Sequence, residues 1–240
     1  GAYLTEALPL SDAVELSPEF YVYGLLSGEP TTYEAYCWQG ETLMTSDWML
    51  WTWTPVWERI YRFNTVLEYL DEVVQTTAAV HDQVEGEARF GRAYYHFMLL
   101  TQYCLWDEDK PGIGYRDNAK AGEIPGRETV GYTLEHIYED LRLAEEALTR
   151  AGRTTFDQTR NFRPTVPTVQ AFRARVALYR GNYELALANA TEALKAHNVL
   201  VDFKNEPEYE LEEWSWISVL DEEGEPVDEI VISSMFELDD

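Results

Sequence analysis

The chain has 240 residues, of which 45% are hydrophobic, enough to bury the core of a single domain spanning residues 1–240. Acidic side chains outnumber basic ones by 44 to 18, which gives a formal net charge of −26. Because phosphate binding requires a basic surface, this balance argues strongly against nucleic acid as a partner. No run of about 18 apolar residues occurs, so no membrane-spanning helix is predicted.

The N-terminal part combines a weak helical signal with an aromatic stretch. A short helix is predicted over about 12–26, between prolines. Residues 33–53 follow neither a helical nor a strand period, so we interpret them as an aromatic-rich, ordered but irregular loop region. Tryptophan rings stack on the apolar faces of sugars, so these rings are candidates for ligand binding. The alternative is that they are core residues. The candidate ligand-binding residues are Trp38, Asp47, Trp48, Trp51 and Trp53, with Gln39 beside them.

A helical scaffold is predicted over about 54–197, and its first helix begins at Thr54 and Pro55. Threonine is a good N-cap, and proline is favoured at the first helical position. The apolar stripe of this helix is interrupted by Asn64. A polar amide in such a stripe is typical of a buried, hydrogen-bonded side chain, so we interpret Asn64 as structural rather than as a ligand contact.

The second helix, predicted over about 84–103, is apolar nearly all the way round and must therefore lie between other elements. Arg89 and Arg92 lie on it, and both need partners because an unpaired buried charge is costly. His96 is interpreted as a hydrogen-bonded core residue. A loop with Trp106, Pro111 and several acidic residues follows the helix. Trp106 and Trp214 are secondary candidates for sugar stacking.

Three further helices are predicted over about 129–151, 168–180 and 182–197. Gly152 suits the position after the first of them, and Gly181 marks a tight turn between the other two. Alanines recur at spacings that let these last helices approach closely. The fold class predicted is therefore all-α, with antiparallel hairpins that resemble tetratricopeptide repeats. The alanines are Ala171, Ala174, Ala177, Ala186, Ala190 and Ala193.

The C-terminal segment, 198–240, is predicted to be irregular or extended. Residues 206–225 are interpreted as an acidic loop that carries Trp214 and Trp216, and residues 229–236 as a strand or a buried extended segment.

No pattern for a catalytic group, a phosphate-binding loop, a cofactor or a metal site occurs, so no enzyme activity and no cofactor are predicted. The four histidines fall at unrelated positions. Calcium binding stays open, although no matching calcium-loop pattern is present. Free thiols are expected at Cys37 and Cys104, but a disulfide between them cannot be judged from the sequence.

Several ordered blocks resemble the SusD/RagB family. Trp57-x-x-Ile60-Tyr61-x-x-Asn64 is similar to a family pattern with slightly altered spacing. Residues 87–97, Glu-Ala-Arg-Phe-Gly-Arg-Ala-Tyr-Tyr-His-Phe, closely resemble the family's Glu-Ala-(Arg/Lys)-Phe-Leu-Arg-Ala-Tyr-Tyr-Tyr-Phe. Further similar blocks lie at residues 127–148, 174–186 and 228–233.

The resemblance implies a helical lipoprotein on the outer surface of a Bacteroidetes cell. Such proteins cover a SusC-like TonB-dependent barrel as a lid and capture glycans or other nutrients for import. They are not enzymes. Family members are usually longer, so this chain is expected to be a truncated or short member. The sequence does not tell whether its ligand site is complete. The matched residues Asn64, Arg89 and Arg92 are interpreted as scaffold.

The main prediction is thus a nutrient-binding, glycan-capturing surface protein. The alternative is a tetratricopeptide-like interaction scaffold with no sugar ligand. A glycan binder requires solvent-facing rings near residues 38–53, whereas a scaffold requires them in the helical groove. The ligand could also be a peptide, and the sequence does not identify the glycan.

Overall fold

A computed structural model describes the backbone of residues 47–73, 76–120, 122, 126–199, 216–220 and 226–231, and the side chains of those between Trp53 and Val199. The helices belong to one compact unit and the two strands to another. Residues 33–46, which include Trp38 and make up most of the aromatic stretch, lie outside the described residues. The helix predicted over 12–26 lies outside them as well. So does Cys37.

The first helix, α1, spans Asp47–Tyr69 and is followed by a 3-10 turn at Leu70–Glu72. The prediction that residues 47–53 are loop and that the helix begins at Thr54 was wrong. Pro55 lies inside the helix. The stretch before it contains no helix breaker, and a segment rich in apolar residues on several sides shows no single period.

The second helix, α2, spans Ala78–Tyr103, as the sequence predicted from residue 84 onward. The Thr77 side chain caps it by accepting a 3.3 Å hydrogen bond from the Val80 amide. The helix packs against both α1 and the helix that follows it. Its core residues include Ala93, Leu99 and Leu100, none of which is exposed. This central position explains why α2 is apolar on several sides.

At Gly91, α2 packs closely against the Phe63 ring of α1. A Cβ atom at this position would lie 2.3 Å from the ring of Phe63. The family pattern that residues 87–97 resemble has leucine at the position of Gly91. In this chain the Phe63 ring fills the space that such a side chain would need. The glycine is required by packing, since its helical backbone would otherwise favour alanine.

The third helix, α3, spans Val130–Arg150 and confirms its prediction closely. Thr129 caps it by accepting a 3.1 Å hydrogen bond from the Tyr132 amide. Its stripe is fully buried against α2, with Leu134, Ile137 and Leu141 all inaccessible. Gly152 follows the helix with a φ of +72°, the left-handed conformation that glycine adopts without strain.

The hairpin of α4, Val166–Tyr179, and α5, Tyr183–Ala196, confirms the tetratricopeptide-like prediction. Gly181 makes the turn with a φ of +75°, and Asn182 caps α5 by accepting a 3.1 Å hydrogen bond from the Leu185 amide. Small side chains fill the seam, with Ala174, Ala177 and Ala186 buried. Ala171 is exposed and does not contribute to the seam.

The other unit contains a two-stranded antiparallel sheet of β1, Trp216–Leu220, and β2, Pro226–Val231. A strand was predicted in the second of these regions, but from residue 229. The interpretation of the whole of 206–225 as loop was wrong for β1. The β1 sequence, Trp-Ile-Ser-Val-Leu, is rich in strand-forming residues, and its acidic surroundings had concealed that signal.

Candidate functional site

A buried polar cluster lies where α1, α2 and α3 meet, and we name it the Arg92 network. Arg92 forms two parallel hydrogen bonds with the Asp140 carboxylate, from Nε at 2.7 Å and from Nη2 at 2.6 Å. Arg89 joins the carboxylate at 3.6 Å and also pairs with Glu85 at 2.9 Å. Both arginines therefore have the partners that their burial required.

Asn64 completes the network and confirms its prediction as a buried, hydrogen-bonded amide. It is 1% exposed. Its Oδ1 accepts a 2.9 Å hydrogen bond from Arg92. Its Nδ2 donates to the backbone carbonyls of Arg116 and Asn118, each at 3.0 Å. The amide therefore connects α2 to the segment 113–120, which has no regular secondary structure.

His96 holds the same segment from the other side. Its Nε2 accepts a 3.0 Å hydrogen bond from the Arg116 amide, and its Nδ1 lies 2.8 Å from the Arg92 carbonyl oxygen. The ring therefore carries its proton on Nδ1. Burial lowers the pKa of His96 to about 4, so the imidazole is neutral near pH 7. This confirms the prediction of a hydrogen-bonded core histidine.

Tyr115 closes the network by donating its hydroxyl hydrogen to Oδ2 of Asp140. Burial, and next the neighbouring carboxylate, raise the pKa of Tyr115 well above its usual value. Burial opposes the charge on Arg92, but its bonds to Asp140 outweigh that effect and its pKa lies above the usual value. The network thus joins Arg92 and Arg89 to the Asp140 carboxylate and adds the uncharged partners Asn64, His96 and Tyr115, which fits a structural role.

The Arg92 network takes the place of secondary structure for residues 113–120. Their backbone groups are satisfied by side chains of Asn64, Arg92 and His96, and Thr133 donates a 2.9 Å hydrogen bond to the Ile113 carbonyl. Buried backbone groups need such partners. The cluster is thus enclosed and committed to internal contacts, so it offers no surface to a ligand.

The other notable feature is an aromatic cluster, which we name the aromatic end. Its members come from the first half of α1, the end of α2, the loop after α2 and the end of α4, and they are Trp53, Trp57, Tyr103, Trp106 and Tyr179. Trp53 packs edge-on against Tyr103, with ring centroids 4.8 Å apart, and against Trp57 at 5.6 Å. Trp53 is nevertheless 36% exposed, so part of its ring faces solvent.

A second ring pair lies just after the end of α2 and at the end of α4. Trp106 meets Tyr179 with centroids 4.2 Å apart and planes at 85°. Their exposed fractions are 36% and 46%. Only three positions separate Tyr103 from Trp106, so the Cα atoms of these two residues lie at most about 11 Å apart.

A fixed ion pair borders the second ring pair. Arg180 Nη2 donates a 2.8 Å hydrogen bond to Oε2 of Glu108, and Nε bonds the other carboxylate oxygen. These bonds to Glu108 raise the pKa of Arg180 despite its partial burial. The Glu108 carbonyl accepts a 2.9 Å hydrogen bond from the Gly131 amide, which anchors the loop to the first turn of α3.

The structure brings together only part of the set predicted from the sequence. Trp53 lies in the aromatic end, beside the secondary candidate Trp106. The side chains of Asp47, Trp48 and Trp51 are not described, although their backbone belongs to α1, and Trp38 lies outside the described residues. These four stay predictions. Tyr103, Tyr179, Glu108 and Arg180 were missed, because contacts between segments so distant in sequence leave no local pattern.

Other chemistry is limited in the described part of the chain. There, no group of three or more histidine, cysteine or acidic side chains is placed to hold a metal ion. No helix in this part is long and apolar enough to span a membrane. Cys104 is a free, half-buried thiol, and burial raises its pKa.

These features define a helical-hairpin protein with an enclosed polar centre and a partly exposed aromatic end. A SusD-like family model, described as starch-binding and associating with the outer membrane, matches residues 23–178. The chain therefore belongs to the SusD-like family, as its sequence blocks had indicated. Among curated proteins no match to the chain was found.

Solved structures with a similar fold come from Bacteroides. A SusD superfamily protein of Bacteroides thetaiotaomicron is 20% identical with a TM-score of 0.57, covering 63% of this chain and 34% of its own. A SusD-like carbohydrate binding protein of Bacteroides vulgatus is 20% identical with a TM-score of 0.55, covering 62% and 32%. Surface glycan-binding protein A of Bacteroides uniformis is 18% identical with a TM-score of 0.52, covering 63% and 32%.

These likenesses establish the shared helical fold. The matched part spans about a third of the length of each of these relatives.

Proposed function

We propose that the chain is a glycan-binding component of an outer-membrane nutrient uptake system, anchored by lipid at the cell surface and acting with a SusC-like TonB-dependent transporter. Membership of a family described as starch-binding and associating with the outer membrane supports this proposal. Two of the similar structures described above carry names that refer to carbohydrate or glycan binding. The role is capture and presentation of a nutrient rather than catalysis.

The single observation that carries the proposal is the partial exposure of Trp53 in a fixed aromatic setting. The Trp53 ring is held edge-on by Tyr103 and Trp57, while 36% of the residue stays accessible. A sugar presents apolar C–H groups on one face and hydroxyls at its rim, so a held, half-exposed ring binds it with little loss of side-chain freedom. Asp47, Trp48 and Trp51 precede Trp53 in α1 and are proposed to extend the site.

Capture would precede transfer to the transporter. A flat ring that contacts any pyranose face gives affinity without strict selection, and hydrogen bonds at the rim add selection between sugars. A surface protein that collects a nutrient and releases it to a barrel needs this moderate affinity, since very tight binding would slow the release.

The test is an intrinsic tryptophan fluorescence titration with neutral oligosaccharides, namely maltoheptaose, cellohexaose and mannohexaose. Trp53→Leu removes the flat ring while keeping apolar volume against Tyr103, and we expect it to weaken binding about tenfold or more. Phe162→Leu is the matched control, because Phe162 is 79% exposed and lies before α4, at the opposite end of that helix from Tyr179. A flat response to the whole panel would contradict the proposal.

A protein-interaction scaffold is the second candidate, and one observation favours it. The outward stripe of α5 is apolar and exposed, with Tyr183 at 72%, Leu187 at 71% and Leu194 at 57%. Such a stripe is typical of a helix face that contacts a partner. Co-purification from detergent-solubilised outer membranes tests it. A TonB-dependent barrel retained by the native chain and lost with Leu187→Asp, together with no binding to any of the three oligosaccharides, would support this scaffold role over glycan binding.

A further inference from the structure

We propose that Trp106, Tyr179 and the Arg180–Glu108 ion pair form a second sugar subsite, which accepts neutral sugar units and rejects uronic or sulfated ones. This inference rests on the proposed glycan-binding function and deepens it by naming the ligand class.

The ring geometry supports a subsite. Trp106 and Tyr179 meet at 85° with centroids 4.2 Å apart, so their planes form a corner rather than a flat stack. One ring can lie under a sugar face while the other borders its edge. Both rings are partly exposed, at 36% and 46%. They come from segments far apart in sequence, so the fold itself assembles this corner.

The corner is rigid. The Tyr179 ring also packs edge-on against Phe97, at 5.7 Å, and Phe97 is 3% exposed and belongs to the core. The loop that carries Trp106 and Glu108 is fastened by the hydrogen bond between the Gly131 amide and the Glu108 carbonyl. A preorganised site of this kind loses little conformational entropy on binding.

The ion pair supplies polar contacts next to the rings. The side chains of Arg180 and Glu108 are 32% and 45% exposed, so both remain accessible while they bind each other. A guanidinium offers hydrogen-bond donors and a carboxylate offers acceptors, and a pair of sugar hydroxyls can use both. The pair is thus suited to a ligand with hydroxyl groups and no charge of its own.

The local charge explains the rejection of acidic sugars. Arg180, which directly follows Tyr179, is already neutralised by Glu108 through two hydrogen bonds. Asp107 and Asp109 flank Glu108 and add negative charge, in a chain whose formal net charge is −26. A uronate or sulfate group would have to displace Glu108 from Arg180 against this repulsion.

Isothermal titration calorimetry on the full chain tests the inference, with maltoheptaose, cellohexaose and mannohexaose as neutral probes and an oligogalacturonate as the acidic one. We expect Trp106→Leu to weaken binding of the neutral probe that binds about tenfold. The native chain should not bind oligogalacturonate at all. Glu108→Gln frees Arg180, so this variant should bind oligogalacturonate measurably and lose that binding in high salt.

Separate outcomes overturn separate statements. If Trp53→Leu weakens binding of a neutral probe and Trp106→Leu matches the Phe162→Leu control, the second subsite is refuted and the proposed function stands. If the native chain binds oligogalacturonate as tightly as a neutral probe, the charge selection is refuted. If no oligosaccharide binds, the proposed function and this inference both fail.

Discussion

An arginine binds a carboxylate through two hydrogen bonds both within the Arg92 network and beside the aromatic end, but the two pairs have opposite surroundings. The Arg92 and Asp140 side chains are 9% and 3% exposed, whereas those of Arg180 and Glu108 are 32% and 45% exposed. The buried pair holds the backbone of a loop, and the accessible pair borders exposed rings. The same chemical contact thus serves structure in one place and is available to a ligand in the other.

Among the substitutions that test this comparison, we expect Arg92→Met to cause the largest loss of stability. Arg92→Met leaves the buried Asp140 carboxylate with only the more distant Arg89, at 3.6 Å, as a charge partner, and removing one partner of a buried pair costs about 3–5 kcal/mol of unfolding free energy. Urea denaturation monitored by circular dichroism measures the loss. A variant as stable as the native chain would show that the network does not hold α2 to α3.

A pH dependence is expected from His96. Because its pKa falls to about 4 in the folded chain, protons bind preferentially to the unfolded chain between about pH 6.5 and pH 4. The stabilisation is therefore complete above pH 6.5 and is lost as the pH falls towards 4, by an amount on the order of 3 kcal/mol. The groups that act on the ring are Arg92, Asp140 and His136.

The check is the difference in unfolding free energy between the native chain and His96→Gln, measured across that pH range. The many carboxylates titrate in both proteins, so the difference isolates His96. The variant should be less stable near pH 7 and should show a weaker dependence on pH. Parallel curves for the two proteins would contradict a neutral, buried imidazole in the folded chain.

An intermediate effect is expected at Gly91. A Cβ atom there would lie 2.3 Å from the Phe63 ring. Gly91→Ala should destabilise by about 1–3 kcal/mol, because overpacking outweighs the gain in helix propensity. Thermal melting measures the change, and Gly91→Ala combined with Phe63→Leu is the matched rescue. A single variant that melts higher than the native chain would mean that α1 yields easily at this contact.

The smallest effect is expected at Glu108. Glu108→Gln breaks the accessible ion pair, and exposed pairs contribute at most about 1 kcal/mol because water screens them. Its unfolding free energy should therefore nearly equal that of the native chain, in contrast with Arg92→Met. A loss as large as that of Arg92→Met would remove the distinction between the two pairs.

The sequence predicted the Arg92 network better than the aromatic end, for a physical reason. Burial of Arg92, Asn64 and His96 follows from the apolar pattern of their own helices, and a buried polar group requires a partner. The identity of the partners did not follow, because Asp140 and residues 113–120 approach only in the folded chain. The helix at 47–53 was missed because a stretch apolar on several sides lacks a single period.

For the aromatic end, the sequence indicated the residue types but not their arrangement. Abundant tryptophan directed attention to Trp53 and Trp106, since large rings near loops favour binding. The pairing of Trp106 with Tyr179 depends on how α2 and α4 end beside each other, and no local pattern encodes that. Composition therefore indicated the chemistry of the candidate site, whereas its geometry required the fold.

The most direct test asks whether the Arg92 network serves stability and the aromatic end serves ligand binding. It compares thermal melting of the native chain, Trp53→Leu and Tyr115→Phe, each with and without the oligosaccharide that binds best in the neutral panel. Ligand at about 100 times its dissociation constant stabilises the folded state by about 2.7 kcal/mol. Trp53→Leu should keep most of its Tm without ligand but lose the ligand-induced rise. Tyr115→Phe, which removes a hydrogen bond to Asp140, should melt lower yet keep the full rise. The reverse pattern, in which the tyrosine variant loses the rise and the tryptophan variant keeps it, would contradict the account.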